Sequence, residues 1–140
     1  MITIVIQDTK QFMSKLFKEE MFDNFLVHNL EIVSFVTFEI KKNTQNTTWQ
    51  TLRPYALNII KGKDTPRSIK IVFSLNPEES EKLKTETNFF MNMYFDQGDL
   101  YFTTGISSKN FSLDKTTNQI WGDYVKDFFK KNVVAFKLME

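Results

Sequence analysis

Apolar residues recur along this chain in two rhythms, every second residue or every third to fourth, and the switches between them predict its elements. Ile2, Ile4 and Ile6 alternate with Thr3 and Val5, which predicts a short strand over 1–6, largely buried on both faces. Asp8 stands at an N-cap position with Gln11 three residues on, and Phe12, Met13, Leu16 and Phe17 then form one stripe, predicting a helix over 9–19. From Phe25 to Ile40, Leu26, His28, Leu30, Ile32, Val36, Phe38 and Ile40 alternate with Asn29, Glu31, Thr37 and Glu39. That run fits one long bent strand or two strands broken near Ser34. Residues 41–48 are wholly polar and read as a loop.

Trp49, Leu52, Ala56, Leu57, Ile59 and Ile60 have helical spacing, with Thr48 or Thr51 as the cap, Pro54 tolerable near the first turn and Gly62 as the stop. Ile69, Ile71, Phe73 and Leu75 predict a strand over 68–75. Asn76-Pro77-Glu78-Glu79 opens a polar surface helix, combining a cap, a first-turn proline and acids near the helix N-terminus. Phe89 to Phe95 and Leu100 to Thr104 flank Asp96-Gln97-Gly98-Asp99, a hairpin, and a further strand is expected near 107–112. Asp114 caps a helix whose Ile120, Trp121, Tyr124, Val125, Phe128 and Phe129 share one face; Asn132 ends it, and 133–136 is expected to return as a strand. The sum is one α+β domain over 1–140. It has a largely antiparallel sheet and three to four helices, the first, second and last covering its apolar face.

Composition then narrows the chemistry. The 140 residues carry 18 Lys plus Arg against 17 Asp plus Glu, a net charge of +1, so any binding to nucleic acid or an anionic surface needs a local patch. There is no Cys, which removes thiolate catalysis, disulfides and thiolate metal sites, and the single histidine, His28, has no partner histidine for a metal. No leader pattern or long apolar run is present, so a cytoplasmic protein without a membrane segment is expected. No cofactor motif is found.

The first candidate site is Lys61-Gly62-Lys63-Asp64-Thr65-Pro66-Arg67-Ser68, a basic turn in which a glycine and backbone amides could hold a phosphate beside three cations. It lacks the glycine spacing of a nucleotide-hydrolase loop, Leu57 and Asp64 standing where that pattern needs Gly and Ser or Thr. Its plainer account is cations decorating a helix C-terminus. The second is Thr103-Thr104-Gly105-Ile106-Ser107-Ser108-Lys109, a hydroxyl-rich strand end whose glycine could equally mark a bulge. His28 falls on the apolar side of its alternation and reads as a packed histidine rather than a base. The solvated carboxylates of Asp96, Asp99, Glu78, Glu79 and Glu81 receive no acid–base role. Of 15 Phe, most occupy core-facing positions; Tyr94, Tyr101 and Phe90 are expected on the outer face of their hairpin, where with Lys109 they are base-stacking candidates.

The chain also resembles a family of small bacterial single-domain proteins classed as a domain of unknown function. The resemblance runs nearly end to end. It rests on Asp8 with Phe12-Met13 and Leu16, Phe22-Asp23-Asn24-Phe25, Trp49 with Leu52 and Pro54, Ile60-Lys61-Gly62-Lys63 with Thr65-Pro66, and Lys70-Ile71-Val72-Phe73. Further along it rests on Leu100-Tyr101 with Thr103-Thr104-Gly105, Leu113-Asp114-Lys115, and Trp121 with Phe128-Phe129. At Lys41-Lys42-Asn43 the chain departs from the acidic-glycine turn expected there. The resemblance implies a bacterial cytosolic protein and transfers no catalytic or binding residue.

The expected function is a non-enzymatic binding or regulatory module, whose contact surface is a polar edge of Arg53, Lys61, Gly62, Lys63, Arg67 and Lys109, with Thr104 and Gly105 as further anion contacts. Nucleic acid is one partner that fits, a protein another. The alternatives are an enzyme on a phosphorylated or sugar-like molecule, with His28 as base and 104–109 for binding, and a subunit of a homo-oligomer or complex with its edge strand or aromatic hairpin covered.

Overall fold

The computed structural model describes residues 1–41, 47–61, 66–83, 87–108 and 115–139. Within these residues seven strands form one sheet, β1 (Thr3–Ile6), β2 (Leu26–Val33), β3 (Thr37–Lys41), β4 (Ser68–Ser74), β5 (Thr87–Asp96), β6 (Asp99–Ser108) and β7 (Phe136–Met139). Their order is β3-β2-β4-β5-β6-β1-β7, and each neighbouring pair is antiparallel. Among the described residues four helices join them, α1 (Thr9–Lys18), α2 (Trp49–Ile60), α3 (Pro77–Lys82) and α4 (Lys115–Lys131).

The sheet buries one face. Ile4, Leu30, Ile32, Ile69, Ile71, Phe73, Phe89, Met91, Met93 and Phe102 meet Phe12, Leu16 and Phe17 of α1, Trp49 and Ala56 of α2, and Trp121, Val125 and Phe129 of α4 in one core. The first, second and last helices therefore cover the apolar face, as the periodicity predicts. The two tryptophans fasten this layer, since a buried indole N–H needs an acceptor. Trp49 Nε1 donates to Leu16 O at 2.8 Å, and Trp121 Nε1 donates to Phe90 O at 2.8 Å.

At α1 and α3 the sequence signals for a helix start are realised in hydrogen bonds, whereas Thr48 stands at the N-cap of α2 without a side-chain capping bond. Asp8 Oδ1 accepts from Gln11 N at 3.0 Å, and Asn76 Oδ1 accepts from Glu79 N at 2.9 Å with Pro77 at the first helical position. The β5–β6 turn has positive φ at both Gln97 (50°) and Gly98 (91°), the two-residue turn whose twist matches that of the paired strands.

Departures from the pattern have local causes. The run 25–40 is two strands, turning at Ser34-Phe35-Val36, and the register slips by one residue between Val27 and Asn29. Inward positions are therefore odd before the slip (Phe25, Val27) and even after it (Leu30, Ile32), and His28 falls on the outer face. β1 is buried on one face only, through Ile4 and Ile6. Pro54 lies deeper in α2 than the first turn, on its exposed side, where water can take the Gln50 carbonyl that it leaves without an amide donor. No separate strand begins at 107, because β6 continues unbroken to Ser108; residues 109–114, with the expected cap Asp114, lie outside the described residues.

The final strand starts at Phe136 because α4 ends in a tight cap. Val133 N donates to Lys130 O at 3.1 Å and Val134 N to Phe129 O at 2.9 Å, closing the helix around Val133 at φ 58°. A β-branched residue is strained in that left-handed region, and Val133 is 74% exposed, so little packing compensates. Val133→Gly is expected to raise stability by about 1 kcal/mol, or roughly 2–4 °C in Tm, read by thermal unfolding; an unchanged or lower Tm means that the valine is not strained there.

Candidate functional site

The second face of the sheet carries no described helix. Strand registers fix which side chains stand in line across it. One row is Glu31, Lys70, Tyr94, Tyr101, Val5 and Lys137; the next is Asn29, Val72, Asn92, Thr103 and Thr3; a third is Ser74, Phe90 and Gly105. Apart from Val5, Val72 and Phe90, these are polar or amphipathic residues, as an uncovered sheet face requires.

The first row is built around stacked rings. Tyr94 and Tyr101 lie directly opposite each other in the ladder, with centroids 5.1 Å apart and planes 23° from parallel. Lys70 Nζ stands 5.7 Å from the Tyr94 centroid, within the range of a cation–π contact. Beyond Tyr101 the row drops to Val5, a short side chain, and rises again at Lys137. The second row holds Asn92 Nδ2 donating to Thr103 Oγ1 at 3.4 Å, and buried Asn29 Oδ1 has no hydrogen-bond partner among the described residues. At the third row, His28 Nε2 is 2.8 Å from Ser74 Oγ and its ring meets Phe90 edge-on at 5.3 Å. A histidine in contact with a serine is the pairing a nucleophile makes with its base; here Ser74 is 5% exposed.

The basic residues named from sequence are dispersed. Arg53 is engaged on the helical side, its Nε and Nη2 donating to Asp23 Oδ1 and Oδ2 at 3.0 Å each, with the Asp23 side chain only 8% exposed. Lys61 caps the end of α2 and is exposed; Gly62, Lys63 and Lys109 lie outside the described residues. Arg67 is exposed at the entry to β4, where its backbone bonds Val33 O and Gln97 N. Thr104 is 2% exposed and binds Ile2 twice, accepting from Ile2 N through Oγ1 at 3.0 Å and donating its own N–H to Ile2 O at 3.1 Å. Its hydroxyl therefore ties β1 to β6. Gly105 sits in a regular ladder opposite Phe90, with open space where a Cβ would stand. It lies level with Ser74, about 20 Å along β4 from Ser68 and the Arg67 end at ~3.3 Å per residue. The structure does not bring Arg53, Thr104 and Gly105 together with Lys61 and Arg67.

The expected placement of Tyr94, Tyr101 and Phe90 on one outer face is what the registers give. Lys70 was legible too, as the out-facing residue between Ile69 and Ile71. Val5 and Lys137 join the site only through strand order, which no local pattern encodes.

On the helical side, a cleft of about 230 Å³ opens between the 21–25 turn, α3 and α4, lined among others by Phe25, Leu75, Glu79, Tyr124, Phe128 and Lys131. Tyr124 Oη donates to Glu79 Oε2 at 3.3 Å while Lys82 Nζ holds Glu79 Oε1 at 2.8 Å. The Lys82 hydrogen bond is the main reason the Glu79 carboxyl lies below the ordinary range. Burial first, then the neighbouring carboxylate, pushes the Tyr124 phenol up to about 12. Among the described residues no group of His, Asp and Glu is arranged to hold a metal, and no helix is long and apolar enough to cross a membrane.

Two outcomes follow from these contacts. Arg53→Ala leaves the Asp23 carboxylate nearly buried without its partner and is expected to lower stability by about 2–3 kcal/mol in denaturant unfolding; a change below about 0.5 kcal/mol would make Arg53 a surface cation after all. In an alkaline titration followed by phenolate absorbance, Tyr124 is expected to ionise at about pH 12, and Tyr124→Phe to remove that step. Because its folded pKa is raised from 10.0, its share of stability is complete below that pH and is lost as pH rises towards about 12. A titration curve that Tyr124→Phe leaves unchanged near pH 12 would contradict the assigned contact.

Comparison with curated proteins finds no match, and comparison with solved structures finds none. One family model does match, over residues 15–137, and by that match the chain belongs to the family of unknown function DUF5721.

Proposed function

We propose that this protein is a non-enzymatic binding module and that the open sheet face is where it takes single-stranded nucleic acid. The observation carrying this reading is the row Lys70-Tyr94-Tyr101-Val5-Lys137. Lys70 occupies one side of the ring pair, and the drop at Val5 leaves the far side of Tyr101 to a flat ring from outside, with Lys137 beyond it for a phosphate. Base stacking on an exposed aromatic contributes about 1–3 kcal/mol per base and tolerates any base, while a duplex hides its base faces. A net charge of only +1 makes the affinity depend on such stacking more than on a global field.

The basic turn of Lys61, Lys63 and Arg67 is a second phosphate-contacting candidate, continuous in sequence with β4. Its contribution adds to that of the sheet face. The contacts of His28 with the Ser74 hydroxyl and the Phe90 ring do not themselves favour an enzymatic role.

The test is fluorescence anisotropy of labelled single- and double-stranded oligonucleotides at low and near-physiological salt. Single strands are expected to bind better than duplex and to weaken with salt. Tyr101→Ala should reduce affinity about 10-fold or more, and Lys137→Ala should lower the salt slope by about 0.7. Loss of binding in the Lys61, Lys63 and Arg67 triple alanine variant with Tyr101→Ala unchanged would move the site to the turn. No binding at low salt would overturn the nucleic-acid reading.

A further inference from the structure

The helical-side cleft combines three features, an aromatic pair, a carboxylate and an ammonium. Its floor is aromatic, Phe25 and Phe128 meeting edge-to-face at 5.2 Å. One rim presents the Glu79 carboxylate; another presents Lys131, which is exposed and makes no ion pair among the described residues. Glu79 and Lys131 carry opposite charge, line the same cleft beside Phe25 and Phe128, and form no ion pair with each other.

From this geometry we infer that the cleft is a binding site for a free α-amino acid with an apolar side chain. The ammonium meets Glu79, the carboxylate meets Lys131, and the side chain lies on Phe25 and Phe128. A zwitterion satisfies both rims at once, whereas a ligand of single charge leaves one unanswered. Glu79 retains capacity for a further donor, because Lys82 and Tyr124 each use one lone pair of a carboxylate that offers about four. The Tyr124 bond, at 3.3 Å, is long for O–H···O, so the hydroxyl is free to turn towards a ligand at small cost. The volume, about 230 Å³, is below the range of drug-sized pockets and suits a small metabolite. Three segments distant in sequence build the site. From α4, Tyr124, Phe128 and Lys131 follow at i, i+4 and i+7 along one stripe.

The test is titration of the whole protein with L-phenylalanine and with L-leucine, followed by calorimetry and by NMR shifts of the Tyr124 and Phe128 rings. The expected result is saturable binding with a Kd of about 1 mM or tighter. Removing one charge from the ligand, as in 3-phenylpropionate or phenethylamine, should weaken it about 10-fold. Lys131→Met should weaken L-phenylalanine but not phenethylamine, and Glu79→Gln should weaken L-phenylalanine but not 3-phenylpropionate. Lys131 is exposed, so the Lys131→Met variant keeps the test valid even if Glu79→Gln disturbs α3. No shift of either ring at about 10 mM amino acid, or equal binding by wild type and both variants, would overturn the proposal. Neither result bears on the sheet face, which lies on the opposite side of the core.

Discussion

Phe22 is the contact on which the two layers of this molecule close. Its ring stacks on Phe73 of β4 at 5.0 Å and 19°, and it takes the edges of Phe12 from α1 and Phe128 from α4 at 5.7 and 5.4 Å. One fully buried side chain in an inter-element turn thus touches the central sheet and two of the helices above it. Burial of a phenylalanine stabilises by roughly 1.5–3 kcal/mol, and ring pairs of this geometry add about 0.5–1.5 kcal/mol each. The fifteen phenylalanines of the sequence are largely the material of this single interface, so packing rather than a binding surface accounts for the aromatic excess.

One-sided burial has a consequence for everything outside the core. A sheet packed by α1, α2 and α4 on one face has a second face without a described helix, and β3 and β7 are its edge strands. The edge at β3 ends in Phe35 (89% exposed), Val36 and Phe38, and the edge at β7 shows Leu138 and Met139. The open face instead manages its exposure by pairing across strands, cation over ring and ring on ring, and the proposed contact surface rests on this ordering.

The architecture was legible because local and tertiary demands agree along most of the chain. Asp8 and Asn76 cap the helices they announce, Gln97-Gly98 turns the hairpin it marks, and the stripe on α4 meets the core. The misreadings arise where one residue shifts the phase. The slip at His28 moves every inward position on β2 by one, so strict alternation assigned that histidine to the wrong face. Val133 takes a conformation its side chain disfavours because the α4 cap and the turn into β7 impose it. For the candidate site, the tyrosines could be placed from their hairpin, and Lys70 from its strand. Lys137 and Val5 could not, since β1 and β7 lie at opposite ends of the sequence and meet only in the sheet. Arg53 failed in the other direction: as a cation near other cations it suggested a surface, and only the approach of Asp23 from the turn after α1 gave it a structural partner.

The central claim is that the uncovered sheet face is the contact surface. It is tested most directly by mapping backbone amide shifts during titration with a short oligothymidylate. Binding on that face requires the shifts to fall on β4, β5, β6, β1 and β7, centred on Tyr101 and Val5, with the core-facing helices silent. Shifts centred on Lys61 and Arg67, or none at low salt, would contradict it.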